Sequence, residues 1–150
     1  MNARYVLDAN VLIQGYILEE NTKRVQTLLQ ALAKADADEF NVPEFCLVEC
    51  TNVLWKQVRL QGMPVETARR SINEMRFLPL VVHKVTDLLP RAFDSGLLPN
   101  LAIYDAIYIA LAEQLRCALI TADTKQSTGA ASIGITIKPI TDFPEFTESD

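Results

Sequence analysis

Histidine, glycine and cysteine are scarce in this sequence, and their scarcity excludes several kinds of catalytic site. The 150 residues include one histidine, five glycines and three cysteines. The histidine, His83, has no second His or Cys at ligand spacing, which argues against a structural zinc site. The sequence has no glycine-rich phosphate loop, no Gly-x-Ser-x-Gly motif and no CxxC pair. We interpret His83 as a structural residue.

The three cysteines are Cys46, Cys50 and Cys117. An odd number in an apolar context argues against a disulfide framework. Cys46 and Cys50 lie one helical turn apart, which would also suit a metal or redox pair. Because free cysteines are among the most buried residue types, we expect these two to be small core residues.

The sequence also lacks a long apolar run and an excess of positive charge, and because residues 1–4 lead straight into a predicted strand we expect no signal peptide. No run reaches the roughly 20 residues that span a bilayer, so we expect a cytoplasmic protein without a membrane segment. Residues 1–150 should form one domain, with the acidic residues 145–150 as a frayed tail. The net charge of −5 argues against binding nucleic acid through a general positive field.

Two groups of side chains have both an ordinary and a functional interpretation. A cluster of cations could form a local patch for a polyanion, but we interpret it as solvated helix faces; it comprises Lys56, Arg59, Arg69, Arg70 and Arg76. Four aromatic residues could stack on bases, but their helical spacing favours the core. They are Tyr16, Trp55, Tyr104 and Tyr108.

Short apolar strands alternate with helices along the chain. The predicted strands are residues 4–7, 40–43, 80–83, 117–121 and 133–137. The predicted helices are residues 11–20, 22–34, 44–60, 64–76, 86–96, 100–114 and 125–130, with caps at Thr86 and Asn100. Strands that are apolar throughout and separated by helices are typical of a parallel sheet covered on both faces. The sequence therefore predicts an α/β sandwich.

Four carboxylates stand alone inside or at the end of apolar runs: Asp8, Glu49, Asp105 and Asp123. A buried carboxylate costs on the order of several kcal/mol unless it is paired, hydrogen-bonded or bound to a cation. Asp8 and Asp123 follow predicted strands, and sites in parallel sheets form at the carboxyl ends of strands. Glu49 and Asp105 lie on the apolar stripes of their helices. The four acids could therefore meet in one site.

Each acid also has an ordinary explanation, since Asp8 and Asp123 could cap helices and Glu49 and Asp105 could form buried ion pairs. Few basic residues lie on the same stripes as the last two. If the acids converge, their oxygens suit Mg²⁺ or Mn²⁺ better than Zn²⁺. Two such ions roughly 3.5–4 Å apart are a standard arrangement for phosphodiester cleavage.

Asn10 and Thr121 lie two residues from Asp8 and Asp123, respectively. Either side chain could hydrogen-bond a carboxylate or a metal-bound water and so support the site from outside it. Capping of the following helix explains Asn10 equally well.

Four segments, taken in order, resemble the successive motifs of PIN-domain ribonucleases, and most closely those of VapC-type toxins from toxin–antitoxin pairs. They are residues 5–13 (YVLDANVLI), 48–54 (VECTNVL), 104–112 (YDAIYIALA) and 119–123 (LITAD). The resemblance implies a three-layer α/β/α fold with a five-stranded, mainly parallel sheet. It implies that Asp8, Glu49, Asp105 and Asp123 bind Mg²⁺ or Mn²⁺ and support endonucleolytic hydrolysis of RNA.

The resemblance also implies a homodimer and a small antitoxin whose tail covers the acidic pocket. Asn10 matches a position where the family often has Ser, Thr or Asn. The sequence departs from the pattern at residues 124–127 (TKQS), where many members carry a further acid. We therefore expect Asp123 to bind metal more weakly than the other three acids, or only through water.

Two other functions agree with the same residues. In an aspartate-based phosphotransfer protein, Asp8 would accept the phosphate and Lys125 would be the nearby basic residue. In a non-catalytic PIN-like binding module, the acidic pocket would only receive the basic tail of a partner.

Overall fold

The computed structural model describes residues 2–98 and 100–144, without the side chains of residues 124 and 125. Four strands form a parallel sheet in the order β3-β2-β1-β4. They are β1 (Arg4–Leu7), β2 (Glu39–Pro43), β3 (Val81–His83) and β4 (Ala118–Ile120). Tyr5 of β1 is opposite Phe40 of β2 on one side and Ala118 of β4 on the other. The predicted frayed tail at 145–150 lies outside the described residues.

Helices flank this sheet, which confirms the predicted α/β sandwich class. They are α1 (Ala9–Leu12), α2 (Thr22–Ala31), α3 (Cys46–Gln61), α4 (Val65–Arg76), α5 (Leu89–Leu97), α6 (Ile103–Leu115) and α7 (Thr124–Ser132). Short 3-10 turns occur at Ile13–Gly15, Thr86–Leu88 and Ile140–Asp142. Helix α6 is buried at every position from 106 to 112 and contacts β1, β2 and β4. Because α6 is covered on all sides over these residues, its sequence there is apolar around the whole helix.

The prediction of a fifth strand at residues 133–137 was wrong. Only Ile137 bridges to β4, through hydrogen bonds that join Leu119 to the main chain of residues 136 and 138. The first part of the segment instead ends α7, because Gly134 has a φ of 80° and the Ile135 N–H bonds to the Ala130 carbonyl at 2.8 Å. Pro139 then offers no N–H to extend the ladder.

Helix ends differ from the prediction at several places. The helix expected at 11–20 is the short α1 followed by a 3-10 turn, and Gly15 packs so closely on α2 that an added Cβ would lie 3.0 Å from Val25 and Leu29. Gly62 ends α3 in the left-handed conformation, as expected from its position. The caps predicted at Thr86 and Asn100 were both wrong.

At both predicted caps, neighbouring residues determine where the helix begins or ends. Thr86 belongs to a 3-10 turn, and Pro90 near the start of α5 favours a helix that begins after that turn. The Leu101 N–H bonds to the Gly96 carbonyl at 2.9 Å, so this segment finishes α5. Asn100 lies there with a φ of 55°, and Ala102 is the cap of α6.

Candidate active site at the carboxyl edge of the sheet

Asp8 lies directly after β1, where its main chain still bonds to β4 through the Ile120 carbonyl at 3.0 Å. Its side chain is 4% exposed and accepts hydrogen bonds from the Thr121 hydroxyl at 2.8 Å and the Asn10 N–H at 3.3 Å. Burial raises the pKa of Asp8 from 3.8 to about 7, with further contributions from the Glu49 and Asp105 carboxylates, whereas the two hydrogen bonds act in the opposite direction. Asp8 also caps α1, as the ordinary interpretation predicts.

Glu49 lies in the first turn of α3 and is partly buried. The hydroxyl of Tyr108, a fully buried residue of α6, donates to its carboxylate at 3.0 Å. Burial and the charge of Asp105 raise the pKa of Glu49, and the hydrogen bond from Tyr108 opposes that rise. Tyr108 is a core residue, as expected, but it also orients an acid of the site.

Asp105 lies in the first turn of α6 and is partly buried. Its charge acts on both Asp8 and Glu49, and that of Glu49 acts on Asp8. The end of β1 and the first turns of α3 and α6 therefore bring three of the predicted acids within electrostatic reach of one another. A shared cation would offset this repulsion.

Asp123 joins the group in a different way. Its carboxylate caps α7 by accepting from the Gln126 N–H at 3.0 Å, and its own N–H donates to the Thr121 hydroxyl oxygen at 3.1 Å. Thr121 in turn donates to Asp8. Asp123 is thus connected to the other acids through one hydroxyl group. Its weaker role in metal binding stays a prediction.

Asn10 and Thr121 both lie beside Asp8. The Asn10 amide donates to the Thr121 hydroxyl oxygen at 3.3 Å, and its oxygen accepts from the Ala122 N–H at 3.2 Å. These bonds fix the loop after β4 against the start of α1. This placement suits the supporting role expected from the sequence.

Gln126 is the main polar residue that the sequence reasoning missed. Its side chain is completely buried at the start of α7 and contacts both Thr121 and the main chain of Asp105. A signal was present, because Asp123-x-x-Gln126 has the spacing of a capping box.

The donor set suits a hard divalent cation, because the converging groups are carboxylate oxygens. Among the described residues, no three His, Cys, Asp or Glu side chains lie close enough together to hold a metal ion between them. Mg²⁺ is commonly held by one or two carboxylates and keeps several waters. The residues therefore fit an ion bound by Asp8 with one neighbouring acid and otherwise hydrated. A cavity of about 210 Å³ opens beside Glu49.

Several structural interpretations from the sequence are confirmed. Cys46 and Cys50 are fully buried, and the hydrogen bond between them, together with burial, raises the pKa of the Cys50 thiol. His83 pairs with the buried Asn41 amide, with 2.7 Å between the His83 Nε2 and Asn41 Oδ1 atoms. The five clustered cations are exposed on α3 and α4. In contrast, Trp55 and Tyr104 are 55% and 62% exposed, so their assignment to the core was wrong.

The phosphotransfer alternative finds little support in this geometry. A phospho-accepting aspartate must be reached by its phosphate donor, whereas Asp8 is buried and doubly hydrogen-bonded. The side chain of Lys125 lies outside those that the structure describes.

Within the described part of the chain, no helix has the length and apolar character needed to cross a membrane.

Comparison with known proteins places these residues in a family. The family model described as "PIN domain" matches residues 5–131. "Ribonuclease VapC3" of Pyrobaculum aerophilum is 30% identical over 122 residues, which cover 80% of this chain and 89% of that protein. The family match at residues 5–131 spans the segments that contain all four acids.

Two solved structures share the fold at low sequence identity. The crystal structure of PAE2754 from Pyrobaculum aerophilum has a TM-score of 0.69 at 19% identity and covers 95% of this chain and 93% of that chain. A toxin-antitoxin complex from Klebsiella pneumoniae has a TM-score of 0.58 at 20% identity, with 83% and 91% covered. On the family model and the sequence relative together, this chain belongs to the PIN-domain family.

Proposed function

We propose that this chain is a metal-dependent endoribonuclease and the toxin of a type II toxin–antitoxin pair. The observation that supports the proposal best is the burial of Asp8 within electrostatic reach of Glu49 and Asp105. Such an arrangement destabilises the fold unless a cation offsets it, and is therefore expected where a cation is used. The similarity to a protein named as a ribonuclease points to RNA as the substrate.

The residues of the site would divide the work as follows. Asp8 and one of its two neighbours, Glu49 or Asp105, would bind Mg²⁺ or Mn²⁺ directly, and the other acids, Asp123 among them, would contribute through water. A bound divalent ion supplies an activated water for attack on the phosphodiester and stabilises the leaving oxygen. Tyr108 orients the Glu49 carboxylate, and Thr121 orients that of Asp8. Asn10 keeps Thr121 in place.

The net charge of −5 means that the RNA backbone needs local cations in order to approach these acids. Bound metal would supply some of that charge. The exposed cations of α3 are candidates, since Lys56 and Arg59 follow Glu49 on the same helix.

A nuclease assay tests this proposal. Purified protein with Mn²⁺ or Mg²⁺ should cleave RNA internally, and Asp105→Asn should lower the rate by about 10²-fold or more, the range for loss of one transition-state stabilising group. Asp36→Asn, in an exposed turn just before β2 and so at the amino edge of the sheet, is the matched control and should retain the wild-type rate. Undiminished cleavage by the wild type in EDTA would contradict the metal requirement.

We also propose a small antitoxin partner with a basic tail, a homodimer and a cytoplasmic location. The fold is shared with a chain from a toxin-antitoxin complex, which makes such a partner the natural one to seek. The protein isolated from its native cells should co-purify with a small protein that has a basic tail, and it should gain metal-dependent RNase activity when freed from that partner. If the protein instead binds a basic tail but no Mn²⁺ in calorimetry, the non-catalytic binding module is the better description.

A further inference from the structure

Gln126 connects three parts of the candidate site through its buried side-chain amide and its main-chain N–H. Its Nε2 donates to the Asp105 carbonyl at 3.1 Å, and its Oε1 lies 2.8 Å from the Thr121 hydroxyl oxygen. Its main-chain N–H donates to the Asp123 carboxylate at 3.0 Å. The side chain is completely buried, so water does not replace any of these bonds.

The Thr121 hydroxyl has more acceptors than it can serve. Its oxygen receives hydrogen bonds from the Asn10 amide at 3.3 Å and the Asp123 N–H at 3.1 Å. It also lies 2.8 Å from both the Asp8 carboxylate and the Gln126 Oε1. A hydroxyl group has one proton, so it can donate to only one of these two acceptors at a time.

The orientation of the Gln126 amide is fixed by its other bond. If the amide were flipped, its oxygen would face the Asp105 carbonyl, and two acceptors would oppose each other in a buried place. Gln126 therefore presents an oxygen, and not an N–H₂ group, to Thr121. The competition for the Thr121 proton is thus built into the packing of α7 against α6.

We propose that Gln126 is a positioning residue, which gives the Thr121 proton a second acceptor and thereby frees the Asp8 carboxylate to bind a divalent ion. The inference rests on the proposed function and deepens it. Without an ion at Asp8, Thr121 donates to its carboxylate. When Asp8 faces a cation, the hydroxyl turns to Gln126 and keeps a full hydrogen bond. The same amide bonds to the Asp105 carbonyl and so fixes the position of the first turn of α6.

The change Gln126→Leu tests this role, because leucine fills a similar volume without an acceptor or a donor. The Thr121 proton would then have Asp8 as its only acceptor and would compete with the ion. We expect Mn²⁺ affinity, measured by calorimetry without RNA, to fall roughly 10–100-fold, as is usual when the partner of a metal ligand is removed. In activity assays the half-saturating Mn²⁺ concentration should rise by a similar factor, and KM for RNA should stay constant.

Gln26→Leu is the matched control. Gln26 also donates from Nε2 to a main-chain carbonyl, that of Gly15, but it lies on the exposed side of α2. This variant should keep wild-type Mn²⁺ binding. Thr121→Val removes the competing proton, so adding Gln126→Leu to that variant should cause little further change in Mn²⁺ affinity.

A second measurement covers the case in which Gln126→Leu does not fold. The Gln126 side-chain amide signals of the metal-free wild type should exchange slowly with solvent and should shift on addition of Mg²⁺, and Thr121→Val should abolish that shift. Wild-type Mn²⁺ affinity in a folded Gln126→Leu protein, or unshifted amide signals in a wild type that binds Mg²⁺, would overturn the role of Gln126 alone. A wild type that binds no divalent ion and cuts no RNA would instead overturn the proposed function and this inference together.

Discussion

The Asp8 carboxylate is 4% exposed, and its pKa is raised from 3.8 to about 7. Between those two values the folded protein binds a proton at Asp8 more tightly than the unfolded chain does. The stability of the metal-free fold therefore falls as pH rises from about 4 to about 7, and the full loss remains above that range. A shift of this size corresponds to a destabilisation on the order of 4 kcal/mol. A cation bound by ionised Asp8 would recover part of it.

The substitution Asp8→Asn should therefore stabilise the metal-free protein while abolishing its nuclease activity. We expect a gain of roughly 1–3 kcal/mol at pH 8 and a smaller gain at pH 5, where the wild-type carboxyl is already largely protonated. Urea unfolding in EDTA at the two pH values measures the difference. Asp36→Asn should change neither result, and a destabilised Asp8→Asn protein at pH 8 would contradict the burial argument.

The residues that the sequence identified and those it missed differ in one physical respect. Asp8, Glu49 and Asp105 are visible because a charged group in an apolar run is costly wherever the chain folds. Tyr108 and Gln126 are not visible in this way, since a phenol or an amide is tolerated in a core that satisfies its hydrogen bonds. Glu49 lies far from Tyr108 in the sequence, and Asp105 lies far from Gln126, so these pairs become neighbours only in the fold.

At the scale of elements, the helices and strands were predictable in type and order but less so at their ends. Apolar periodicity depends on which face is buried, and it identified α2, α3, α4 and the first four strands closely. Ends depend on local hydrogen bonds, such as the one from Leu101 to Gly96 that displaced the cap expected at Asn100. The fifth strand failed for the same reason, because Gly134 and Ile135 close α7.

Tyr108 connects two elements of the site, since its hydroxyl on α6 bonds to Glu49 on α3. Tyr108→Phe keeps the ring and its edge-on contact with Phe45, with ring centres 5.6 Å apart. In the wild type this hydrogen bond stabilises the ionised form of Glu49. Its loss in the variant therefore raises the pKa of that carboxyl further. The acidic limb of the pH–rate profile should therefore move to higher pH, and the fold should lose about 0.5–1.5 kcal/mol.

Tyr5→Phe is the matched control for this change. Tyr5 also loses one hydrogen bond, the one that its hydroxyl accepts from the Lys138 ammonium group at 3.0 Å, but it lies within β1 and away from the carboxyl edge of the sheet. It should reduce stability to a similar degree and leave the pH–rate profile in place. An unmoved profile in Tyr108→Phe would mean that the bond to Glu49 serves folding only.

At the scale of the whole molecule, the outer surface of α5 is more apolar than an isolated domain needs. Leu89, Phe93 and Leu97 recur at intervals of four residues and are 43%, 56% and 65% exposed. Ile103 and Tyr104 at the start of α6 extend the same patch of large exposed side chains, and α5 packs against α6. Contiguous apolar surface of this kind usually marks a place where another protein binds.

We expect this surface, formed by Leu89, Phe93, Leu97, Ile103 and Tyr104, to be the contact between two copies of the chain. Phe93→Glu would bury two negative charges at a symmetric contact, one from each copy, because each copy presents the same residues to the other. The variant should sediment as a monomer at micromolar concentration, where we expect the wild type to be a dimer, and should keep its Mn²⁺ affinity. Phe77→Glu, a change of an 80% exposed aromatic residue after α4, is the control and should remain dimeric. A monomeric wild type at these concentrations would leave the α5 surface to a different partner and would remove the homodimer from the proposal.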